Sequence, residues 1–217
     1  MPYILWDWNG TLLDDTGAAL GAFNVVLRHR GLPPIDGVWY RAHFAFPVKP
    51  FYAACGVELA HEDWDALAQE YHDAYAALPK RLNAEAHEAL RRVQRGGAGQ
   101  SIISALRQDL LDSAVDALCL RGFFDFVYGV DNLDGASKLI RARELRESLP
   151  EEVTRNGIVL IGDAIHDKDV ADALGIGCVL CAQGGHSADR LRVVAPTGET
   201  LLDALALAER LSADCYG

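Results

Sequence analysis

Acidic side chains, one serine and one lysine stand where predicted buried strands end or predicted helices begin. Asp7 follows the apolar run of residues 3–6 (YILW) and precedes a turn that contains Asn9 and Gly10. Asp163 ends a second apolar run, GIVLIGD. Carboxylates from two separate strands provide the hard oxygen ligands that Mg²⁺ binds, usually together with waters and a substrate phosphate. The pattern therefore predicts a Mg²⁺ site.

Ser104, at the end of the segment QSIIS, and Lys138, at the start of a helical pattern, add groups that bind a phosphate. A lysine supplies a compact positive charge, and a serine hydroxyl with backbone N–H groups at a helix start holds phosphate oxygens. Asp167 follows in the segment GDAIHD. Each residue taken singly is also a common cap or turn residue. Together they predict a phosphate site beside the metal.

A parallel sheet is the element that must bring these residues together. After residue 84, apolar strand-like segments alternate with amphipathic helices over short connections, which predicts an α/β fold with a doubly wound, right-handed parallel sheet. Ligands of such sheets bind at the carboxyl ends of the strands, where Asp7 and Asp163 lie. The predicted later strands are QSIIS (100–104), FDFVYGV (124–130), GIVLIGD (157–163), GCVLCA (177–182) and a short RVVA (192–195).

Residues 16–83 interrupt this alternation and are predicted to form an inserted helical cap, with residues 1–15 and 84–217 as the core domain. A helix with Leu20, Phe23 and Leu27 on one face opens the insert, and a Pro-broken aromatic stretch (43–55) follows. The next predicted helix is amphipathic, and its aromatic stripe is interpreted as cap core. The stripe consists of Trp64, Leu67, Ala68, Tyr71, Tyr75 and Leu78.

Composition limits the other functions open to this chain. The 217 residues are half apolar and carry a net charge of −11, which argues against a nucleic-acid-binding protein. No apolar run approaches a membrane span, and the start lacks the pattern of a signal peptide, so a cytoplasmic protein without membrane contact is predicted. Five cysteines, an odd and scattered set, are interpreted as free thiols. Monomer and homodimer both stay open.

With these motifs in order, the chain resembles the haloacid dehalogenase superfamily, in the branch similar to phosphoglycolate phosphatases with a helical cap after the first strand. The segment DWNGT (7–11) resembles the first motif of that family and Ser104 the second. Lys138 matches the third motif, and Asp163 with Asp167 matches the fourth. The resemblance implies a Rossmann-like core and a Mg²⁺-dependent phosphatase of small phosphorylated metabolites.

The resemblance also implies roles for individual residues. Asp7 is expected to accept the phosphoryl group as an aspartyl-phosphate, which divides one difficult displacement into two steps. Mg²⁺ is expected on the Asp7 carboxylate, the main-chain carbonyl of Asn9 and the Asp163 carboxylate, with Asp167 orienting metal-bound water. Lys138 is expected to screen the negative charge of the transition state. The expected ligands of the transferring phosphoryl oxygens are Gly10, Thr11, Ser104 and Lys138.

Asn9 departs from the family pattern, in which an acid–base aspartate usually occupies this position. An amide has no usable acid–base proton, and general acid–base catalysis contributes about 10²–10⁴-fold. Three explanations stay open: a phosphatase that is slow or acts on acyl phosphates, a different proton donor such as His166 or a cap residue, or a catalytically idle protein that binds a phosphorylated ligand. Carbon–halogen or carbon–phosphorus cleavage by the same scaffold is disfavoured by the Mg²⁺-type acidic motif and by the lack of an evident Schiff-base lysine.

Substrate-selecting residues are expected in the cap. Arg41, His43 and Lys49 flank the stretch HFAFPVK, which is a candidate lid over the site. Together with His166, they are the candidate substrate-binding residues. Surface exposure accounts for each of the three cap residues equally well.

Overall fold

A six-stranded parallel sheet forms the centre of the computed structural model, which describes residues 1–131, 138–151, 153 and 157–216. Its strands are β1 (Tyr3–Trp6), β4 (Gln100–Arg107), β5 (Val127–Val130), β6 (Ile158–Gly162), β7 (Gly177–Cys181) and β8 (Thr197–Gly198). Their spatial order is β5-β4-β1-β6-β7-β8, and each neighbouring pair is parallel. The sheet is therefore doubly wound about β1, as the sequence predicts.

Helices cover both faces of this sheet because the strands are apolar on both sides. The helices that flank the sheet are α5 (Ala86–Arg95), α6 (Gln108–Ala117), α7 (Lys138–Ser148), α8 (Ile165–Leu174), α9 (Ala188–Arg192) and α10 (Leu201–Tyr216). Successive side chains of β1 point to opposite faces. Ile4 and Trp6 join one apolar cluster, with α5 and α10, while Tyr3 and Leu5 join the other, with α7 and α8.

Four further helices lie between β1 and α5 and have an apolar cluster of their own. They are α1 (Thr16–His29), α2 (Gly37–His43), α3 (Val48–Ala54) and α4 (Trp64–Ala77). Phe23 is central to the cluster, with the rings of Phe51 and Tyr71 at centroid distances of 4.9 and 4.7 Å. A two-stranded antiparallel ribbon, β2 (Leu13–Asp14) with β3 (Arg81–Leu82), joins the helices to the core. The ribbon supports the predicted domain boundaries near residues 15 and 83, which stay a prediction.

Three local expectations differ from the structure. The strand that contains Ser104 continues to Arg107, because the following residues pair with β5. The run RVVA forms no strand: Arg192 ends α9, and the edge strand pairs later, at Thr197–Gly198. The Pro-broken stretch 43–55 contains α3, which begins directly after Pro47. None of the helices in the described part of the chain is long and apolar enough to cross a membrane.

Candidate active site

A cavity of about 200 Å³ lies between the carboxyl edge of the sheet and the four cap helices. Its floor comes from the core and its roof from the cap. We call the buried charged residues at its base the acidic floor: Asp7, Lys138, Asp163 and Asp167. We call the ring-bearing residues above them the aromatic roof: Phe23, Tyr40, Phe44, Phe46, Tyr52, Trp64, Tyr71 and Tyr75.

Lys138 connects the carboxylates of the acidic floor. Its ammonium donates to Asp7 Oδ1 and, at 2.6 Å, to Asp167 Oδ1. β1 positions Asp7, whose backbone N–H donates to the Ile161 carbonyl of β6 at 2.8 Å. The second oxygen of Asp167 accepts the backbone N–H groups of Asp163 and Ala164 at 3.1 and 3.0 Å, and thereby caps α8. Three segments distant in sequence therefore meet at one buried charge cluster.

Asp163 lies opposite Lys138 in this cluster and is held by the backbone around it. Its carboxylate accepts the Gly185 N–H and, at 3.4 Å, the Thr11 hydroxyl. Gly10 passes so close that a Cβ on it would lie 2.3 Å from Asp163 Oδ2, and its φ of +76° is a left-handed conformation. Glycine is therefore the residue that this approach requires.

Burial shifts the protonation of the acidic floor. Burial raises the pKa of Asp7 to about 7, against the lowering effect of the Lys138 charge. Burial and the negative charge of Asp7 raise the pKa of Asp163 well above its usual range. Burial alone would raise the pKa of Asp167, but the Lys138 ammonium holds it below its ordinary value. The floor thus holds more carboxylate charge than one lysine balances.

This surplus of carboxylate oxygen fits a divalent cation. One ligand atom from each of Asp7, Asp163 and Asp167 lies within 4.8 Å of the others, and all three residues are buried. Hard oxygen donors in this number suit Mg²⁺, which binds through one or two carboxylates and keeps several waters. A cation here would relieve the repulsion that raises the pKa of Asp163.

Asn9 is held in a network that joins the floor to the cap. Its amide nitrogen donates to Asp15 Oδ2 at 2.7 Å and to the Tyr75 hydroxyl at 2.9 Å. The Tyr75 hydroxyl in turn donates to Asp15 Oδ2 at 2.6 Å, and the Gly10 N–H donates to Asp15 Oδ1 at 2.7 Å. Asp15 is buried, and burial raises its pKa. A carboxylate thus lies directly beside the position where the family usually has one.

The other predicted phosphate ligands are engaged elsewhere. Ser104 is fully buried, and its hydroxyl accepts the Leu106 N–H at 3.0 Å. Thr11 is fully buried, with its hydroxyl on Asp163, and the Gly10 N–H is bound to Asp15 and to the Leu13 carbonyl. Gly10 lines the cavity, whereas Ser104 and Thr11 do not. Of this predicted group, Lys138 is the one that presents a charged donor to the cavity, and the phosphate-binding roles stay predictions.

The charged cap residues singled out from the sequence do not line the cavity. The Arg41 guanidinium donates to the Gly184 carbonyl at 3.2 Å and so fastens the cap to the core. His43 stacks on Trp39, and the Lys49 ammonium lies over the Trp64 ring at 4.6 Å. Their predicted roles as substrate contacts stay predictions, and the roof over the floor is aromatic instead of charged. His166 does line the cavity, beneath the ring of Phe46 at 5.3 Å.

Two functional candidates were not singled out from the sequence. Asp15 looks there like the second member of an acidic pair before a helix, and Tyr75 looks like part of the cap core. The interpretation of the stripe as cap core is right for Leu67, but Tyr75 points its hydroxyl at Asp15. The available signal was Asn9 itself, because an amide at the position where the resembled family usually has an aspartate needs hydrogen-bond partners of its own.

A buried lysine bridges carboxylates at the carboxyl edge of a doubly wound sheet, beneath a helical cap, and this arrangement is a candidate active site. A family model described as haloacid dehalogenase-like hydrolase matches residues 4–181, and the chain belongs to this family. It is therefore an enzyme, a phosphatase-type hydrolase, as the sequence predicts.

Individual relatives agree with this assignment. The chain is 28% identical over 189 residues to the phosphoglycolate phosphatase of Caulobacter vibrioides, covering 83% of this chain and 79% of that protein. It is 24% identical over 200 residues to that of Chromobacterium violaceum, covering 86% of each. A haloacid dehalogenase-like hydrolase from Streptococcus pneumoniae shares the fold, with a TM-score of 0.75 at 21% identity over 96% of this chain and 98% of that one.

Proposed function

We propose that this protein is a Mg²⁺-dependent phosphatase of small phosphorylated metabolites, with Asp7 as the nucleophile. The observation that carries the proposal is the acidic floor: Lys138 bridges Asp7 and Asp167 at the base of the cavity, and Asp163 lies beside them. A nucleophile needs a free carboxylate oxygen, a nearby positive charge and a site for the phosphate. The floor offers the first two and the cavity the third.

The reaction proceeds in two displacements. A carboxylate oxygen of Asp7 attacks phosphorus, the bond between phosphorus and the leaving oxygen breaks, and that oxygen takes a proton and departs as an alcohol. Water then attacks phosphorus, the bond to Asp7 breaks, and inorganic phosphate leaves. The net change is one ester and one water converted to one alcohol and one phosphate. Lys138 stabilises the charge that develops on the phosphoryl oxygens in both steps.

The residues that would hold Mg²⁺ are Asp7 and Asp163 through their carboxylates and Asn9 through its main-chain carbonyl. Asp167 would orient the water bound to the cation. When bound, the cation screens the repulsion between the carboxylate and a phosphate dianion. Asp167 suits the outer position because Lys138 and two backbone N–H groups already engage its oxygens.

The Asn9 network addresses the loss of the usual acid. The amide positions its neighbours as a double hydrogen-bond donor and cannot protonate a leaving alcohol. Turnover of alkyl phosphates is therefore expected to be slow in comparison with that of phosphates whose leaving groups need no proton.

Phosphate release from an aryl phosphate, measured with Mg²⁺ and after chelation, tests the function. The wild type should release phosphate only when Mg²⁺ is present, and Asp7→Asn should abolish release. Asp172→Asn is the matched control, because this exposed aspartate of α8 pairs with Lys168 at the surface; it should retain full activity. Release that persists in chelator or in Asp7→Asn would overturn the mechanism.

The same assay separates the catalytically idle alternative. A protein that only binds phosphorylated ligands would show a ligand-dependent rise in Tm with no phosphate release across a panel of phosphorylated metabolites. The cytoplasmic location, the lack of nucleic-acid or membrane partners and the monomer-or-homodimer state stay predictions.

A further inference from the structure

We propose that the substrate's leaving group is an uncharged, largely apolar alcohol with the bulk of one aromatic ring. This inference rests on the proposed phosphatase function and deepens it. It contrasts with the small anionic leaving group of phosphoglycolate, the substrate in the names of the two relatives. Three features of the cavity carry it: the composition of the roof, the position of the nearest cations and the volume.

The aromatic roof presents carbon surface directly above the nucleophile. Phe46 contacts Phe44 at 5.3 Å between ring centroids and His166 at the same distance, so its ring reaches from the cap to the edge of the floor. Tyr40 and Tyr52 are nearly fully buried behind it. A leaving group attached to a phosphate on the floor therefore points into stacked rings, which favour apolar and aromatic partners.

Permanent cations are scarce around this surface. Among the described residues that line the cavity there is no arginine, and the one lysine, Lys138, is already shared by Asp7 and Asp167. His72 and His166 also line it, but an imidazole is not a permanent cation near neutral pH.

The cap cations are committed to other contacts. Arg41 donates to the Gly184 carbonyl, and the Lys49 ammonium lies 4.6 Å from the ring centroid of Trp64 and does not line the cavity. A second anion on the substrate would thus enter an apolar enclosure without a partner. Burying an unpaired carboxylate is strongly unfavourable, whereas burying a ring is favourable. The roof therefore selects against an anionic leaving group.

The cavity volume sets the size of the leaving group. An apolar cavity of about 150 Å³ accommodates a benzene ring, and this cavity has about 200 Å³. The space thus holds a phosphoryl group on the floor and roughly one ring beneath the roof.

Three substrates with primary-alcohol leaving groups test the proposal without changing the chemistry of the broken bond: benzyl phosphate, ethyl phosphate and 2-phosphoglycolate, each with Mg²⁺. We expect kcat/KM to fall in that order, with benzyl phosphate about 100-fold above 2-phosphoglycolate. An equal or higher kcat/KM for 2-phosphoglycolate would overturn the inference and leave the phosphatase function standing. If none of the three substrates is turned over, and an aryl phosphate is not turned over either, the proposed function itself would be overturned.

Two variants locate the selectivity in the roof. Phe46→Ala should lower kcat/KM for benzyl phosphate about tenfold, through KM, and lower kcat/KM for ethyl phosphate much less, so that the ratio of the two falls. Phe46 is 39% exposed, so its truncation is expected to leave the fold intact. Val38→Ala, an 80% exposed cap residue away from the cavity, is the matched control and should change neither substrate.

Ala68→Arg adds a cation to the cavity wall on α4. It should raise kcat/KM for 2-phosphoglycolate and narrow the ratio to benzyl phosphate. Unchanged ratios in both Phe46→Ala and Ala68→Arg would show that the roof does not contact the leaving group, and would overturn the inference.

Discussion

The floor and the roof of the cavity differ in almost every physical property. The acidic floor holds three carboxylates and a lysine, all supplied by the ends of core strands and the starts of core helices. The aromatic roof is supplied by the cap and packs around Phe23. The floor is a cluster of charged side chains that suits the proposed phosphoryl transfer, while the roof is an apolar surface that suits a class of substrates. The proposed function thus assigns the reaction and the substrate specificity to separate parts of the chain.

The two regions meet at Asn9, Asp15 and Tyr75. Asn9 and Asp15 belong to the segment that leaves β1, and Tyr75 comes from α4 of the cap. This junction shows that the division is not complete, because the residue that departs from the family pattern is held by one partner from each side.

The largest effect is expected when the floor loses its cation. Lys138→Met should lower kcat for phosphate release by about 10²–10³-fold, because a preorganised positive group at the transferring phosphoryl is removed. Lys168→Met, an exposed lysine of α8, is the control and should keep wild-type kcat. Comparable rates in the two variants, both folded by circular dichroism, would show that Lys138 is structural only.

Within the junction, Asn9 and Asp15 should be coupled in their effects on stability. Asn9→Asp places a carboxylate where the amide donates to Asp15, so we expect the free energy of unfolding to fall by about 1–3 kcal/mol. Asp15→Asn should also destabilise, and Asn9→Asp/Asp15→Asn should recover most of the loss, which a double-mutant cycle measures by chemical denaturation.

The swapped variant also tests the slow-phosphatase reading. Asn9→Asp/Asp15→Asn carries an aspartate at the usual acid–base position, and turnover of ethyl phosphate should rise by about 10²-fold. Additive losses of stability in the cycle would contradict the coupling of Asn9 and Asp15. A swapped variant that turns over ethyl phosphate no faster than the wild type would point to a different proton donor.

Charge repulsion within the floor should be visible in stability. Without Mg²⁺, Asp163→Asn should raise the free energy of unfolding, because it removes one carboxylate from a buried cluster with one lysine. Adding Mg²⁺ should raise the Tm of the wild type and have little effect on the variant. A lower Tm for Asp163→Asn in chelator would contradict the surplus of negative charge.

The smallest effect concerns His186, a core residue beneath Phe44 of the cap. Burial and the charge of Arg190 lower its pKa from 6.5 to about 4, and its Nδ1 accepts the Ile165 N–H at 3.1 Å. Between pH 6.5 and about 4, this histidine is therefore protonated in the unfolded state and neutral in the folded state. The free energy of unfolding falls as the pH is lowered through this range. His186→Asn should reduce this loss by roughly 1 kcal/mol in denaturation curves at pH 7 and pH 5; parallel losses in both proteins would exclude the histidine as the cause.

The floor was predictable from the sequence and the junction was not. Asp7, Lys138 and Asp163 follow apolar runs or open helices, and a parallel sheet gathers such positions at one edge whatever the details of packing. Asp15 and Tyr75 are 60 residues apart, and their contact depends on where α4 lies over the first loop. Arg41 shows a second limit: its charge near a candidate lid suggested a substrate contact, but the sequence could not show that its guanidinium binds the Gly184 carbonyl of the core.

The central claim is that Asp7 carries the phosphoryl group. Rapid acid quench of the enzyme during turnover with Mg²⁺ and an aryl phosphate, followed by mass spectrometry of its peptides, tests it directly. We predict a phosphoryl adduct on the peptide that contains Asp7, present in the wild type and in Asp172→Asn and absent in Asp7→Asn. Phosphate release at the wild-type rate without an adduct on Asp7 would contradict the account.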